Sequence, residues 1–135
     1  MADVIVVKAN IRPLNNCVTQ RYKAGEAMAL GQPVYISGND TVSLTDSSAA
    51  ATNFVIGVVV SASGGGSDAA SGEWVDVAVY GPVTGYTTNM AAGILLYTDD
   101  DAGIISTTAG TKKSIIGYCK NATTLFVQPS LVDLA

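Results

Sequence analysis

The chain has 135 residues, enough for one domain that hides roughly two thirds of its unfolded surface from water without a staple. Only 13% of residues are charged, the net charge is −4, and histidine is absent. That excludes Ser-His and Cys-His nucleophiles and every His-based metal site, and it disfavours an enzyme or a nucleic-acid binder.

The opening "MADVIVVKANIRPLNN" sets Asp3 before a four-residue apolar run and puts Lys8 and Arg12 after it, the wrong order and length for a secretory signal. Residues 1–20 are expected to form an extended, flexible arm, and 21–135 a single β domain. Charge segregates along the chain. Lys8, Arg12, Arg21 and Lys23 face only Asp3 in the opening stretch, whereas Ala24 to Thr111 holds nine acids and no Lys or Arg. Lys112, Lys113 and Lys120 follow, against Asp133. A basic leader before an acidic body suits docking on an acidic neighbour or partner. The expected contacts are Val4, Ile5, Val6, Val7, Lys8 and Arg12 in the arm, with Arg21 and Lys23 beside it. Deleting Met1 to Pro13 is then expected to leave the fold intact.

Period-2 or β-branched runs recur between Gly, Pro, Asn and Asp: "DVIVVK" within the arm, then "VTQRYKA", "PVYIS", "TVSLT", "NFVIGVVVSA", "EWVDVAVYG", "ILLYT", "GIIS", "SIIGYCK" and "TLFVQP". They predict strands. In "EWVDVAVYG", Val75, Val77 and Val79 form a core face, while Trp74, Asp76, Ala78 and Tyr80 form a semi-polar one. No segment holds a helical period, although "TTNMAAG" has room for one short helical turn. The fold class is therefore all-β. "GGGSDAASG" reads as a mobile loop, and the "NDT" and "NAT" sequons at Asn39 and Asn121 read as turns. The longest apolar run, Phe54 to Val60, is far shorter than the roughly 20 residues of a membrane helix. Cys17 and Cys119 allow at most one disulfide and lack a metal-type spacing, so a reducing compartment is expected.

One phrase occurs twice. "AMALGQPVYI" followed by "FVIGVVV" aligns with "NMAAGILLYT" followed by "SIIGYCK", so that Gly31 matches Gly93, Tyr35 matches Tyr97 and Gly57 matches Gly117. The glycine pairs are 62 and 60 residues apart. Two similar halves, about 24–81 and 86–130, are expected to close as a small antiparallel β-barrel or sandwich with internal duplication. Gly31, Gly57, Gly93 and Gly117 are expected to be structural turn glycines.

Candidate chemistry is thin. "TDDDAG", Asp99 to Asp101, lacks the alternating ligands and terminal Glu of a calcium loop and reads as a turn, so no metal is expected. Glu26, Glu73 and Asp76 are the strand-adjacent carboxylates, and nothing in the spacing converges them. No "SxxK" supplies a lysine base, and "GGGSD" lacks the Lys-Ser/Thr of a phosphate loop. The hairpin phrase also resembles lipoyl and biotinyl carrier domains, but the lysine they require is missing. Trp74 and the tyrosines keep a glycan-binding reading open.

The phrases "G-x-x-V-Y", "V-I-G-V-V-V", "V-D-V-A-V-Y-G-P-V", "G-x-x-L-Y" and "I-I-G-Y" together resemble the tailed-bacteriophage capsid decoration proteins, also called cement or head-stabilising proteins. The resemblance covers roughly Tyr22 to Pro129. It implies a β-tulip-like virion protein, made in the host cytoplasm, that binds the outside of an icosahedral head as a homotrimer. There it would reinforce contacts between major capsid protein subunits, with no cofactor, no direct nucleic-acid contact and no membrane. Trp74 and Tyr80 are the expected trimer seam, and the arm orders on docking. The alternative expectation is a head-fibre or glycan-binding adhesion protein.

Overall fold

A computed structural model describes residues 3–130. The first two positions of the expected arm and the last five of the expected domain, Asp133 included, lie outside the described residues. In chain order the strands are β1 (Ile5–Val6), β2 (Arg12–Pro13), β3 (Val18–Ala24), β4 (Met28–Ala29), β5 (Pro33–Gly38), β6 (Thr41–Leu44) and β7 (Val55–Ala62). They continue with β8 (Asp68–Ala69), β9 (Trp74–Thr84), β10 (Tyr86–Thr87), β11 (Leu95–Thr98), β12 (Ile105–Ser106), β13 (Ile115–Cys119) and β14 (Thr124–Val127). Among the described residues the helical segments are two single 3₁₀ turns, Lys8–Asn10 and Ala50–Thr52. "TTNMAAG" is not helical, because Thr88 and Asn89 both take positive φ.

The protein is all-β. β9 is its axis: residues Trp74 to Tyr80 pair with β3 on one side, and β7 pairs along the other. β5 joins β7 to β6, and β6 returns to β3, closing a five-stranded barrel. The β3–β6 seam is parallel, a departure from the expected antiparallel arrangement. It follows from closure with five strands: the other four neighbouring pairs are antiparallel, which leaves β6 running the same way as β3. The last part of β9, Gly81 to Thr84, pairs with β14, and the order continues through β13 and β11 to β12 as an open sheet.

The repeated phrases hold equivalent places. The order β6-β5-β7-β9 is matched by β12-β11-β13-β14. Val34 pairs with Gly57, a bulge follows, and Tyr35 pairs with Val55. Leu96 pairs with Gly117, a bulge follows, and Tyr97 pairs with Ile115. Gly31 and Gly93 do sit in turns, at φ of 91° and 87°, a region costly for other residues. Gly57 and Gly117 are not turn glycines. They lie inside β7 and β13, where a Cβ would stand 2.0 Å from the carbonyl oxygen of Ala78 or of Phe126 on the next strand. Glycine is needed there for close backbone approach.

Val34, Val42, Val55, Val58, Val59, Val75 and Val77 are fully buried and form the centre of the core. β-branched side chains have few rotamers to lose and pack well on a pleated surface. Ala78, expected on the semi-polar face, is fully buried as well, since it lies between Thr19 and Val58 where the barrel wall is paired on both sides.

The expected free arm is docked. Asp3 bridges to Ser106, Val4 N–H donates to Ile105 O at 2.9 Å, β1 pairs with β10, and Val7 N–H donates to Gly85 O at 2.9 Å. β2 then lies along Val83 and Thr84, and Leu14 N–H donates to Pro82 O. Alternation explains the docking: Val4 is buried, Val6 is half-buried against the core over Gly31, and Ile11 is buried after the 3₁₀ turn. The expected boundary after Gln20 falls within β3, whose pairing with β9 starts at Val18.

Candidate functional site

The basic residues expected to reach a partner meet acids of their own chain. Lys8 Nζ lies 2.8 Å from Asp68, and Arg21 Nε 3.1 Å from Asp76, which also accepts from Ser61 Oγ at 2.7 Å. Hydrogen bonds from Arg21 and then Ser61 hold the Asp76 carboxyl below the usual carboxylate range. Lys23 Nζ stands 5.8 Å above the Trp74 ring. Arg12 is exposed at the rim of a polar cleft shared with Asn10, Thr84, Thr87 and Thr123. Of the apolar arm residues, Val4 is in the core and Val6 half-buried, while Ile5 and Val7 face solvent. Charge segregation in the sequence therefore does not survive folding: two of the leader's cations are spent within the molecule.

Trp74 and Tyr80 do not stand side by side. Both are exposed, but they stand at opposite ends of the barrel part of β9, roughly 20 Å apart at about 3.3 Å per residue. Tyr80 belongs instead to an aromatic group. Its ring meets Phe126 edge-on at 5.2 Å, and Phe126 stacks on Tyr118 at 5.1 Å with 14° between planes. Leu95 pairs with Tyr118, and Val18 with Tyr80, so a single apolar row crosses β11, β13, β14, β9 and β3. Leu95 is 44% exposed, and Tyr80 and Val18 are each 47% exposed. Tyr118 and Phe126 were readable as a pair in principle: each alternates with buried neighbours, Gly117 and Cys119 in one strand and Leu125 and Val127 in the other.

A second group joins the two halves. Ser47 N–H donates to Asp99 O at 2.8 Å, Ser47 Oγ and Thr111 Oγ1 donate to the Asp100 carboxylate at 2.7 and 2.6 Å, and Asn53 Nδ2 donates to Lys112 O at 3.0 Å. Thr98 Oγ1 completes it by donating to Asn53 Oδ1. The acidic run is thus a junction between the β6–β7 connection and the end of β11. Asp99 is 1% exposed; its Oδ1 accepts from Asp100 N–H, and its Oδ2 has no partner. Among the described residues no three His, Cys, Asp or Glu side chains are grouped to hold a metal ion.

Burial first, and the neighbouring acids after it, push the Asp99 carboxyl up. A raised carboxylate is a penalty that is absent in acid and grows as pH rises above the ordinary carboxylate value, about 4. Asp99→Asn is therefore expected to stabilise the protein by about 1 kcal/mol at neutral pH and to give no gain near pH 4. Thermal melts of both proteins across that range check this, and an equal shift at every pH would refute it. Asp76 and Asp100 are displaced downward, so their contributions are present at neutral pH and disappear as pH falls below about 4.

Tyr86 was missed by sequence reasoning. Its side chain is buried and its hydroxyl donates to Gly31 O at 2.9 Å, tying β10 to the first repeated turn. In comparisons with known proteins, no family model matches the chain, and a search of the curated proteins finds no match.

Proposed function

We propose that this protein is a structural component of a phage virion: it binds the outer surface of the icosahedral head as a homotrimer and stabilises contacts between major capsid protein subunits. The observation that carries this reading is the number of large apolar side chains a well-closed body leaves bare: Ile5, Val7, Val18, Ile36, Phe54, Trp74, Tyr80, Ile94 and Leu95 are all exposed. Exposed apolar residues standing singly are ordinary, but Leu95, Tyr80 and Val18 adjoin one another through Tyr118 and Phe126, and a contiguous row of that kind marks contact with other proteins. Repetition on a lattice turns modest contacts of this kind into durable ones. A body made of a closed barrel continuous with a sheet supplies the stiffness that a brace between subunits needs.

The test is co-sedimentation of purified protein with empty heads. Binding is expected to expanded heads and not to unexpanded ones, and failure to bind either would refute the proposal. The adhesion alternative, a head-fibre or glycan-binding role, is instead supported if the protein is retained by immobilised sugars. Trp74 is poorly disposed for that, with Lys23 across its ring.

A further inference from the structure

We infer that the outer face of the second sheet, from the bare turn Ala91–Leu95 across Tyr118 and Phe126 to Tyr80, is a self-association surface, and that its occupant is the acidic barrel of a second copy, led by Ile36 and Asp40 of the β5–β6 hairpin. This rests on the homotrimer part of the proposed function and names the faces that meet.

The repeat itself points to a vacant seat. In the first half the glycine turn is covered by the chain's own arm: a Cβ on Gly31 would lie 2.5 Å from Val6 Cγ1 and 2.8 Å from Ile11 Cδ1. Ala29 to Pro33 are accordingly buried or half-buried. The equivalent turn in the second half has the same backbone, yet nothing lies within 4 Å of a Cβ built on Gly93, and residues 91–95 are all exposed. What fills the first seat is branched aliphatic, and the second seat continues through Leu95 into the aromatic row. Edge-to-face and stacked rings hold that row flat and rigid, which lowers the ordering cost of covering it.

Charge selects the occupant. Lys120 flanks Phe126 beside Pro13, Leu14 and Pro82, and Lys113 Nζ lies 6.0 Å from the Tyr97 ring on the same sheet. None of these side chains is acidic. The barrel is the opposite: Glu26 and Asp40 are exposed there, and of the two cations on its strand β3, Arg21 is already paired with Asp76 and Lys23 lies against the Trp74 ring. Ile36, 46% exposed on the strand that leads to Asp40, combines a branched aliphatic side chain with a nearby carboxylate. Such a contact joins two different faces, and head-to-tail contacts close into rings when the rotation permits.

Sedimentation equilibrium of the full chain tests this. The wild type is expected to associate, and Leu95→Glu and Tyr80→Ser are each expected to weaken association at least about tenfold with unchanged far-ultraviolet circular dichroism, Tyr80→Ser also lowering the melting temperature slightly through its lost contact with Phe126. Ile36→Glu should do the same from the other face. Lys120→Glu should weaken association, and adding Asp40→Lys should restore it. A wild type that stays monomeric at about 100 μM, or a Leu95→Glu protein that associates normally, overturns the inference. Loss with Leu95→Glu but none with Ile36→Glu overturns the assignment of the occupant. Head binding is scored separately: monomers that bind heads refute self-association alone, and oligomers that ignore heads refute the capsid reading alone.

Discussion

Gly57→Ala and Gly117→Ala are each expected to destabilise the protein by more than about 3 kcal/mol, among the larger effects a single methyl group produces. A Cβ at either site would sit 2.0 Å from a backbone carbonyl oxygen of the adjacent strand. A side chain can swing aside, but that oxygen belongs to a paired strand. Moving it at Gly57 means parting β7 from β9, where Val58 faces Ala78, and at Gly117 means parting β13 from β14. Gly93→Ala is the control: it carries positive φ but meets nothing, so its cost is backbone strain of about 1 kcal/mol. Urea midpoints measured on the three variants separate the two causes. Midpoints for Gly57→Ala and Gly93→Ala that coincide would remove the close-approach explanation.

Deleting residues 1–13 is expected to abolish stable folding, contrary to the expectation drawn from a flexible basic leader. Val4 and Ile11 are 4% and 6% exposed. Burying a branched aliphatic side chain contributes roughly 1.5–3 kcal/mol, so the pair accounts for about 3–6 kcal/mol before the cover over Gly31 and the lost strand pairings are counted. A domain of this size has a net stability of only about 5–15 kcal/mol. A truncated chain that melts at the wild-type temperature would show the segment to be dispensable. The milder double change Val4→Ala, Ile11→Ala should lower the melting temperature without preventing folding, and so reports the same contribution in a chain of full length.

Much of the body was legible because its signals are local. Alternation in "EWVDVAVYG" marks a strand, and Gly31, Gly57, Gly93 and Gly117 mark the places where the two halves repeat. The role of Gly57 and Gly117 was not legible, since a glycine between valines looks the same whether it turns the chain or lets a neighbouring backbone pass. Docking of residues 3–14 was hidden for a different reason. "VIVV" declares a strand, but its partners Thr87 and Tyr86 lie some 80 residues on, and Lys8 meets Asp68 at a separation of 60. Sequence proximity grouped the cations as one charged leader, whereas the fold distributes them among acids it brings from elsewhere. The aromatic row had the same fate: Leu95, Tyr118, Phe126, Tyr80 and Val18 come from five strands, and only the register shows that they stand in line.

β9 serves the barrel with its first seven residues and the open sheet with its last four. The two halves are thus joined by one covalent strand held by hydrogen bonds on both flanks, not by a linker. A pull that tries to separate them runs along this strand and shears several hydrogen bonds at once. Peeling them one by one would need far less force. Tension entering at the barrel would therefore leave through the sheet with little give in between, as the proposed brace between subunits requires.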